Sequence, residues 1–537
     1  MLPALAFRAA RLRGVLAWAA AALLAAGSGC GKSTSEQRPR ELAEEPSAAG
    51  QGGAAGGSEA GASEVPEASA GQPAGGEAGA PVDPTPPGVV LSAITVSQTQ
   101  ELPLMQAGSA VAAEARPAPL VANKRALVRA FVEVEPGFVA RQLLGVLDLK
   151  TPQVTRTLVS AHTIAQSSLQ DDLTTTFDFD VDPADLNPNS SYRVRVLEAD
   201  TTPLARFPDT GYLELGARVL PAFQLVVVPF ISNGFAPKTG DDELQGLRRR
   251  LLALYPSSDV VVSVAEPVTL PFVVNAAGDG WDNALDLIYQ LRAEAAPAHD
   301  VFYFGAMAPG ASFNGYCASD CILGFSTVAD DSDVDSRGSI GITVFQDGSG
   351  VKDAWDTVAH ELGHAMGREH APCGISDPSD VDADYPYANG TLGGIYGYDF
   401  DLKRLVKPKP AKDVMSYCTP VWISDYTYRG LFERLDYIAS ESVRTLAFTP
   451  SPLFRLARIR RDGESVWLGE RRRSGRARRS GVALLDRAGH ELGRVDAEFV
   501  AVDHAAGGYV WLPELELKQS GADSVDLRPL GGAILAL

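Results

Sequence analysis

His360-Glu361-Leu362-Gly363-His364-Ala365-Met366-Gly367-Arg368-Glu369-His370 is the stretch in which fold and chemistry are read together. On a helix, His360 and His364 stand one turn apart and project from one face. With Trp355 as the zero of the helical wheel, Val358, Ala359, Leu362 and Met366 fall within about 60° of it, while the two His lie at about 140° and about 180°. One face therefore packs into a domain and the other presents two imidazoles to a cleft. Glu361 lies beside them, placed to serve a metal-bound water rather than the metal itself. Gly367 can take the positive φ that ends a helix and swings the chain back, which brings His370 round as a third nitrogen ligand. Three protein ligands leave a fourth position open, the catalytic arrangement for zinc, at one ion per chain. The chain has seven His and three occupy these positions. With five positions fixed, chance assembly is on the order of 10⁻⁵.

Upstream of the motif, strands alternate with helices. Residues 223–230 (FQLVVVPF) form a continuous apolar run expected of a buried strand. Leu244, Leu247, Leu251 and Leu254 follow at helical spacing, with Asp241, Asp242 and Glu243 favourably placed in the first turn. A strand at 260–265, a helix at 281–294 and strands at 300–305 and 338–344 complete an α/β reading: a twisted mixed sheet carrying the motif helix.

The extended motif resembles that of the metzincin metallopeptidases, in which a Met-turn lies beneath the metal. Asp413-Val414-Met415-Ser416-Tyr417-Cys418 supplies the Met, 45 residues after His370, in a chain with only five Met. The resemblance covers 221–446. It implies a zinc peptidase in which Glu361 takes a proton from the attacking water and delivers it to the leaving amine. It implies a second catalytic residue, Tyr417, at the position where astacin-like and serralysin-like members place a Tyr that reaches the zinc or the tetrahedral intermediate. Ala371 departs from the residues that mark the better-known families, so the resemblance is to the clan and not to one family. Substrate in this clan pairs with an edge strand above the helix, for which Cys321–Ser326 is the candidate. Four Cys beyond position 30 allow three pairings. The segments after His370 and Met415 converge below the zinc in such a fold, which favours Cys373–Cys418 and leaves Cys317–Cys321.

The flanks are read from composition. Arg8, Arg11 and Arg13 precede an apolar run from Val15 to Ala26, a signal peptide over 1–29. Cys30 then follows small residues in a pattern similar to the lipobox of bacterial lipoproteins. Lipidation there implies anchoring at the cell surface or outer membrane, and the alternative is a secreted chain. Residues 30–88 are rich in Gly, Ala, Ser, Glu and Pro, and read as a tether. Alternating stretches at 126–134 and 174–181, and Tyr192 after a turn-rich loop, read as an immunoglobulin-like β-sandwich over 89–218 whose Tyr ties down its own loop. Residues 450–537 read as a small β-domain. The Arg-rich run 471–479 within it reads as a solvated hairpin loop, with an anionic or glycan contact as the functional alternative. Two Asp-rich stretches, 330–335 and 377–384, read as solvated acidic loops, with calcium as the cofactor that alternating carboxylates would hold. With 47 basic and 67 acidic side chains the formal charge is −20, which argues against a nucleic-acid partner. The expected partners are a protein or glycoprotein substrate and, through Cys30, a membrane. A surface adhesin or glycan-binding protein with an ancillary zinc domain is the competing class. An intact Glu361 argues against it.

Overall fold

Phe223–Ile231 (β1) is the first strand of the sheet that positions the site. The computed structural model describes residues 88–537, apart from 199–202, 320, 330–332, 445–451, 474–477 and 504–506. The stretch read as a signal peptide, Cys30 and residues 31–87 of the stretch read as a tether lie outside the described residues.

After β1 come helix α1 (Asp241–Leu254), strand β2 (Val260–Val264), helix α2 (Trp281–Ala295) and strand β3 (Val301–Met307). Strands β4 (Gly324–Ser326) and β5 (Gly338–Ile342) and helix α3 (Val351–Ala365) follow. The sheet order is β2-β1-β3-β5-β4. All neighbours are parallel except the edge strand β4, which runs antiparallel to β5. Parallel strands need crossovers, and the crossover helices cover both faces. Phe223, Leu225 and Val227 pack with Leu247 and Leu251 of α1 and with Val358 and Leu362 of α3. Val228 and Phe230 face the other way, onto Trp281, Leu285 and Ile288 of α2. That double burial is why 223–230 reads as a largely apolar run. The candidate edge strand is shorter than 321–326, because only Gly324–Ser326 pairs with β5. A long helix, α4 (Asp425–Arg444), closes the domain, with Tyr428, Leu431, Phe432 and Leu435 buried.

The N-terminal part holds two antiparallel sheets. One contains Glu101–Gln106, Val89–Ser97, Ala126–Val134 and Phe177–Val181; the other contains Ser191–Leu197, Arg141–Lys150 and Thr155–Ile164. Ile94, Val128 and Phe179 from the first share a core with Leu143, Leu147 and Val194 from the second, so this is a sandwich. Two expectations need correction. The stretch 174–181 is divided: Leu173–Thr175 forms a 3₁₀ turn capped by Asp172, and pairing begins at Phe177. Tyr192 does not tie its own loop. Its hydroxyl donates to the Leu104 carbonyl on the facing sheet, at 3.2 Å. Ser190 already holds that loop, accepting from the Asn187 amide and donating to the Asp185 carbonyl.

The C-terminal part is more than a small appendage. Strands β6 (Leu453–Ile459), β7 (Ser465–Arg472), β8 (Arg478–Leu485), β9 (Glu491–Ala501) and β10 (Gly508–Pro513) are followed by helix α5 (Glu514–Ser520) and strands β11 (Ser524–Asp526) and β12 (Ile534–Ala536). They form one seven-stranded sheet, ordered β7-β6-β10-β9-β8-β11-β12. The Trp467 indole donates to Ala536 O at 2.6 Å, so the two ends of the sheet approach each other and it curls nearly into a barrel. Its inner face (Val482, Val495, Val510, Leu512) packs on Leu517 of α5. Its outer face (Leu456, Val500, Tyr509, Trp511) shares a core with α2 and β3 of the α/β domain.

Charges complete that junction and correct two loop readings. Arg473 is not solvated: it is fully buried, 3.0 Å from Asp333 and 3.1 Å from Glu498. Asp333 in turn accepts from the Asp335 and Ser336 amides, so it is an interface residue and not part of an open acidic loop. Arg473→Ala leaves a buried carboxylate without its cation and should cost about 3–5 kcal/mol. The exposed Arg471→Ala should cost less than about 0.5 kcal/mol. Denaturant midpoints of the two variants, side by side, check this. Among the described residues, no helix is long and apolar enough to cross a membrane.

Candidate metal centre

Helix α3 delivers His360 and His364 on adjacent turns, both buried. Gly367 has φ +81° and the Arg368 amide bonds back to Gly363 O at 3.0 Å, which stops the helix and turns the chain. His370 then lies beside Val381 in a short parallel bridge. Each ring is oriented through Nδ1. His360 donates to Val414 O at 2.7 Å, His364 to Arg368 O at 2.6 Å, and His370 to Asp380 O at 3.0 Å. A proton on Nδ1 leaves the Nε2 lone pair for a metal, which is how backbone carbonyls commonly set a ligand's tautomer. The Nε2 atoms of His360 and His364 are 3.0 Å apart. Burial, with His364 and His370 as neighbours, pushes the pKa of His360 down to about 3, so its ring stays a neutral donor.

The fourth member is Asp503, from the turn after β9 in the C-terminal sheet. Its Oδ2 is 3.1 Å from His364 Nε2 and its Oδ1 is 3.2 Å from His370 Nε2. One ligand atom from each of His360, His364, His370 and Asp503 lies within 4.8 Å of every other. Burial alone would raise the Asp503 carboxyl, but the charges and hydrogen bonds of His364 and His370 outweigh it and hold it low. Conversely, burial lowers His370, yet the Asp503 carboxylate leaves it raised overall. Three imidazole nitrogens and a carboxylate oxygen are a donor set that suits zinc. Sequence reading missed Asp503. It stands 133 residues after His370, in no motif, and the one available signal was a carboxylate closing an otherwise apolar hairpin (FVAVD).

Glu361 is buried beside His360, its carboxyl lying over Gly324 of β4. A Cβ on Gly324 would stand 2.0 Å from the Glu361 oxygen, so only glycine leaves it room. Burial, then the nearby Asp503, pushes this carboxyl well above its usual range. Met415 is buried beneath the helix, its sulfur against Gly363. Its carbonyl accepts from the Ala371 amide at 2.9 Å, and its amide donates to Asp413 at 2.8 Å. Tyr417 places its hydroxyl 2.9 Å from His370 Nε2. Disulfides join Cys373 to Cys418 and Cys317 to Cys321. The first holds the segment after His370 to the segment after Met415. The second sits just before β4. A cleft of about 400 Å³, lined by Leu323, Gly324, His360, Glu361, Tyr417 and Val421, opens onto the Glu361 side.

In the second Asp-rich stretch Asp377, Asp380 and Asp384 are exposed, as in a solvated loop, while Asp382 is buried. Asp382 accepts from the Tyr426 hydroxyl at 2.8 Å, and the Asp380 carbonyl orients His370, so the segment is a strap behind the third imidazole. Among the described residues, His360, His364, His370 and Asp503 are the group whose side chains converge as a metal site.

A family model described as Peptidase M66 matches residues 336–421. The span contains β5, α3, His370, Met415 and Tyr417. It supports a metallopeptidase, and the buried His/Asp group fits metal binding. No curated protein matches the chain. Among solved structures, a calcium-binding mutant of Bacteroides uniformis beta-glucuronidase 2 is similar at 10% identity with a TM-score of 0.14. That match covers 41% of this chain and 29% of the other, so the chain spans less than a third of that protein's length.

Proposed function

We propose that the chain is a zinc-dependent endopeptidase of the metzincin type that cleaves extracellular or cell-surface proteins or glycoproteins. The observation that carries this reading is the convergence of three Nε2 atoms, each fixed through Nδ1 to a backbone carbonyl, beside a buried carboxylate that faces an open cleft. His360, His364 and His370 would hold the ion. Zinc, when bound, supplies a Lewis acid that acidifies water and polarises the scissile carbonyl. Glu361 takes the proton from the attacking water and passes it to the leaving nitrogen. The edge strand β4 offers backbone groups to an extended peptide. Export and lipid anchoring through Cys30 complete the proposal.

The test has three parts on the purified mature chain. Elemental analysis should find about one zinc per chain, from one open three-His site. A proteome-derived peptide library should be cut, and a zinc chelator should abolish the cutting. In cells, changing Cys30 to Ser should move the protein out of the membrane fraction. A chain that holds no zinc would end the reading.

Tyr417 is proposed to stabilise the developing oxyanion through its hydroxyl. Removing one such donor costs about 10²–10³-fold in kcat. Tyr417→Phe keeps the ring, so melting and zinc content should not move. A merely structural hydroxyl would instead cost about 1 kcal/mol of stability and leave turnover alone. Turnover and melting measured on one preparation decide it, and a kcat within threefold of the parent ends the catalytic role.

A further inference from the structure

We propose that residues 501–503, at the end of β9, are a built-in latch, in which Asp503 takes the fourth metal position and the segment covers the continuation of the β4 edge along which a substrate strand would run. This rests on the peptidase reading above and concerns the regulation of the same site.

Three independent observations carry it. The first is ligand geometry. Asp503 is 6% exposed, with one carboxylate oxygen beside His364 Nε2 and the other beside His370 Nε2, at 3.1 and 3.2 Å. A carboxylate is an ordinary zinc ligand, and a fourth protein ligand turns an open catalytic site into a closed one. The second is strand pairing. The Asp503 amide donates to Ser326 O at 2.7 Å, and the Val328 amide donates to Ala501 O at 3.0 Å. Thr327 and Val502 form an antiparallel bridge between them. Residues 501–503 therefore pair with Ser326 and with Thr327 and Val328 just beyond β4, by the main-chain pairing with which an extended peptide adds to a sheet. The third is what holds the turn in place. Val500 and Val502 are buried in the core shared with the α/β domain, and the buried Arg473–Asp333 pair sits in the same junction. The end of β9, part of the C-terminal sheet, thus presents Asp503.

The consequence is a peptidase that is closed as folded on the metal side and open on the Glu361 side. A peptide must displace both the carboxylate and the paired segment before its carbonyl reaches the site. Because the latch is tethered, it competes at an effective concentration in the millimolar range or above. A free ligand therefore meets a strong competitor.

The experiment uses the mature chain loaded with cobalt(II) in place of zinc, compared with Asp503→Ala and with Asp503→Asn. The Asn variant keeps the shape of the turn while losing the charge, in case Ala loosens the hairpin. The probe is acetohydroxamate, a small chelating ligand that needs open metal positions. Both variants should bind it at least tenfold more tightly than the parent, and their cobalt absorption bands should shift as a carboxylate ligand is lost. In zinc-loaded form both should cleave a peptide at least tenfold faster, with melting within a few degrees of the parent. Equal acetohydroxamate affinity and identical cobalt spectra in all three chains would overturn the latch and leave the peptidase reading standing. A parent chain that takes up no cobalt or zinc would overturn both.

Discussion

Glu361→Ala, made in the chain that also carries Asp503→Ala, should keep its metal and its fold yet lose about 10²–10⁴-fold in kcat/KM. The open background matters because the comparison then reports chemistry and not latch opening. Metal should stay because His360, His364 and His370 are each oriented by a backbone carbonyl. The fold should stay because position 361 lies inside helix α3, where alanine is the best helix former. What disappears is the proton acceptor in the cleft. A fluorogenic peptide gives kcat/KM, and elemental analysis on the same sample gives zinc. A rate within tenfold of the parent would mean that another group moves the proton.

How much of this was legible before any coordinates divides along physical lines. Residues that act through local spacing were readable. His360 and His364 follow from helical periodicity, His370 from a glycine that ends the helix, and the buried strand at 223–230 from its largely apolar run. The Met415 segment and the Cys373–Cys418 pairing were legible only through resemblance, since nothing in their spacing alone brings 373 to 418. Contacts set by tertiary packing were not legible. Tyr192 was read as holding its own loop, but Ser190 does that, and the hydroxyl crosses to Leu104. Arg473 and Asp333 sat in runs of like charge that look solvated, and they prove to be each other's buried partners. Asp503 reaches the site because a distant sheet docks against α2 and β3. No period or motif in the chain encodes that docking.

His364→Ala should reduce zinc from about one per chain to a small fraction and abolish peptidase activity with it. His364 sits between two other members of the group. It is fully buried, its Nε2 is 3.0 Å from His360 Nε2, and it is 3.1 Å from Asp503. Losing an outer partner of a ligand already costs about 10–100-fold in metal affinity, and losing the ligand itself should cost more. Stability offers a readout that does not depend on catalysis. An ion that binds only the folded chain adds about 4 kcal/mol when present at a thousand times its Kd. The parent should therefore melt several degrees higher with zinc than with a chelator, and His364→Ala should melt at one temperature in both. If the imidazole were only a packing element, the variant would show a fixed loss of stability that zinc neither enlarges nor removes, because the cost would then be the cavity left in the core. Stoichiometric zinc in the variant, or a zinc-dependent melting shift equal to the parent's, would remove His364 from the ligand set.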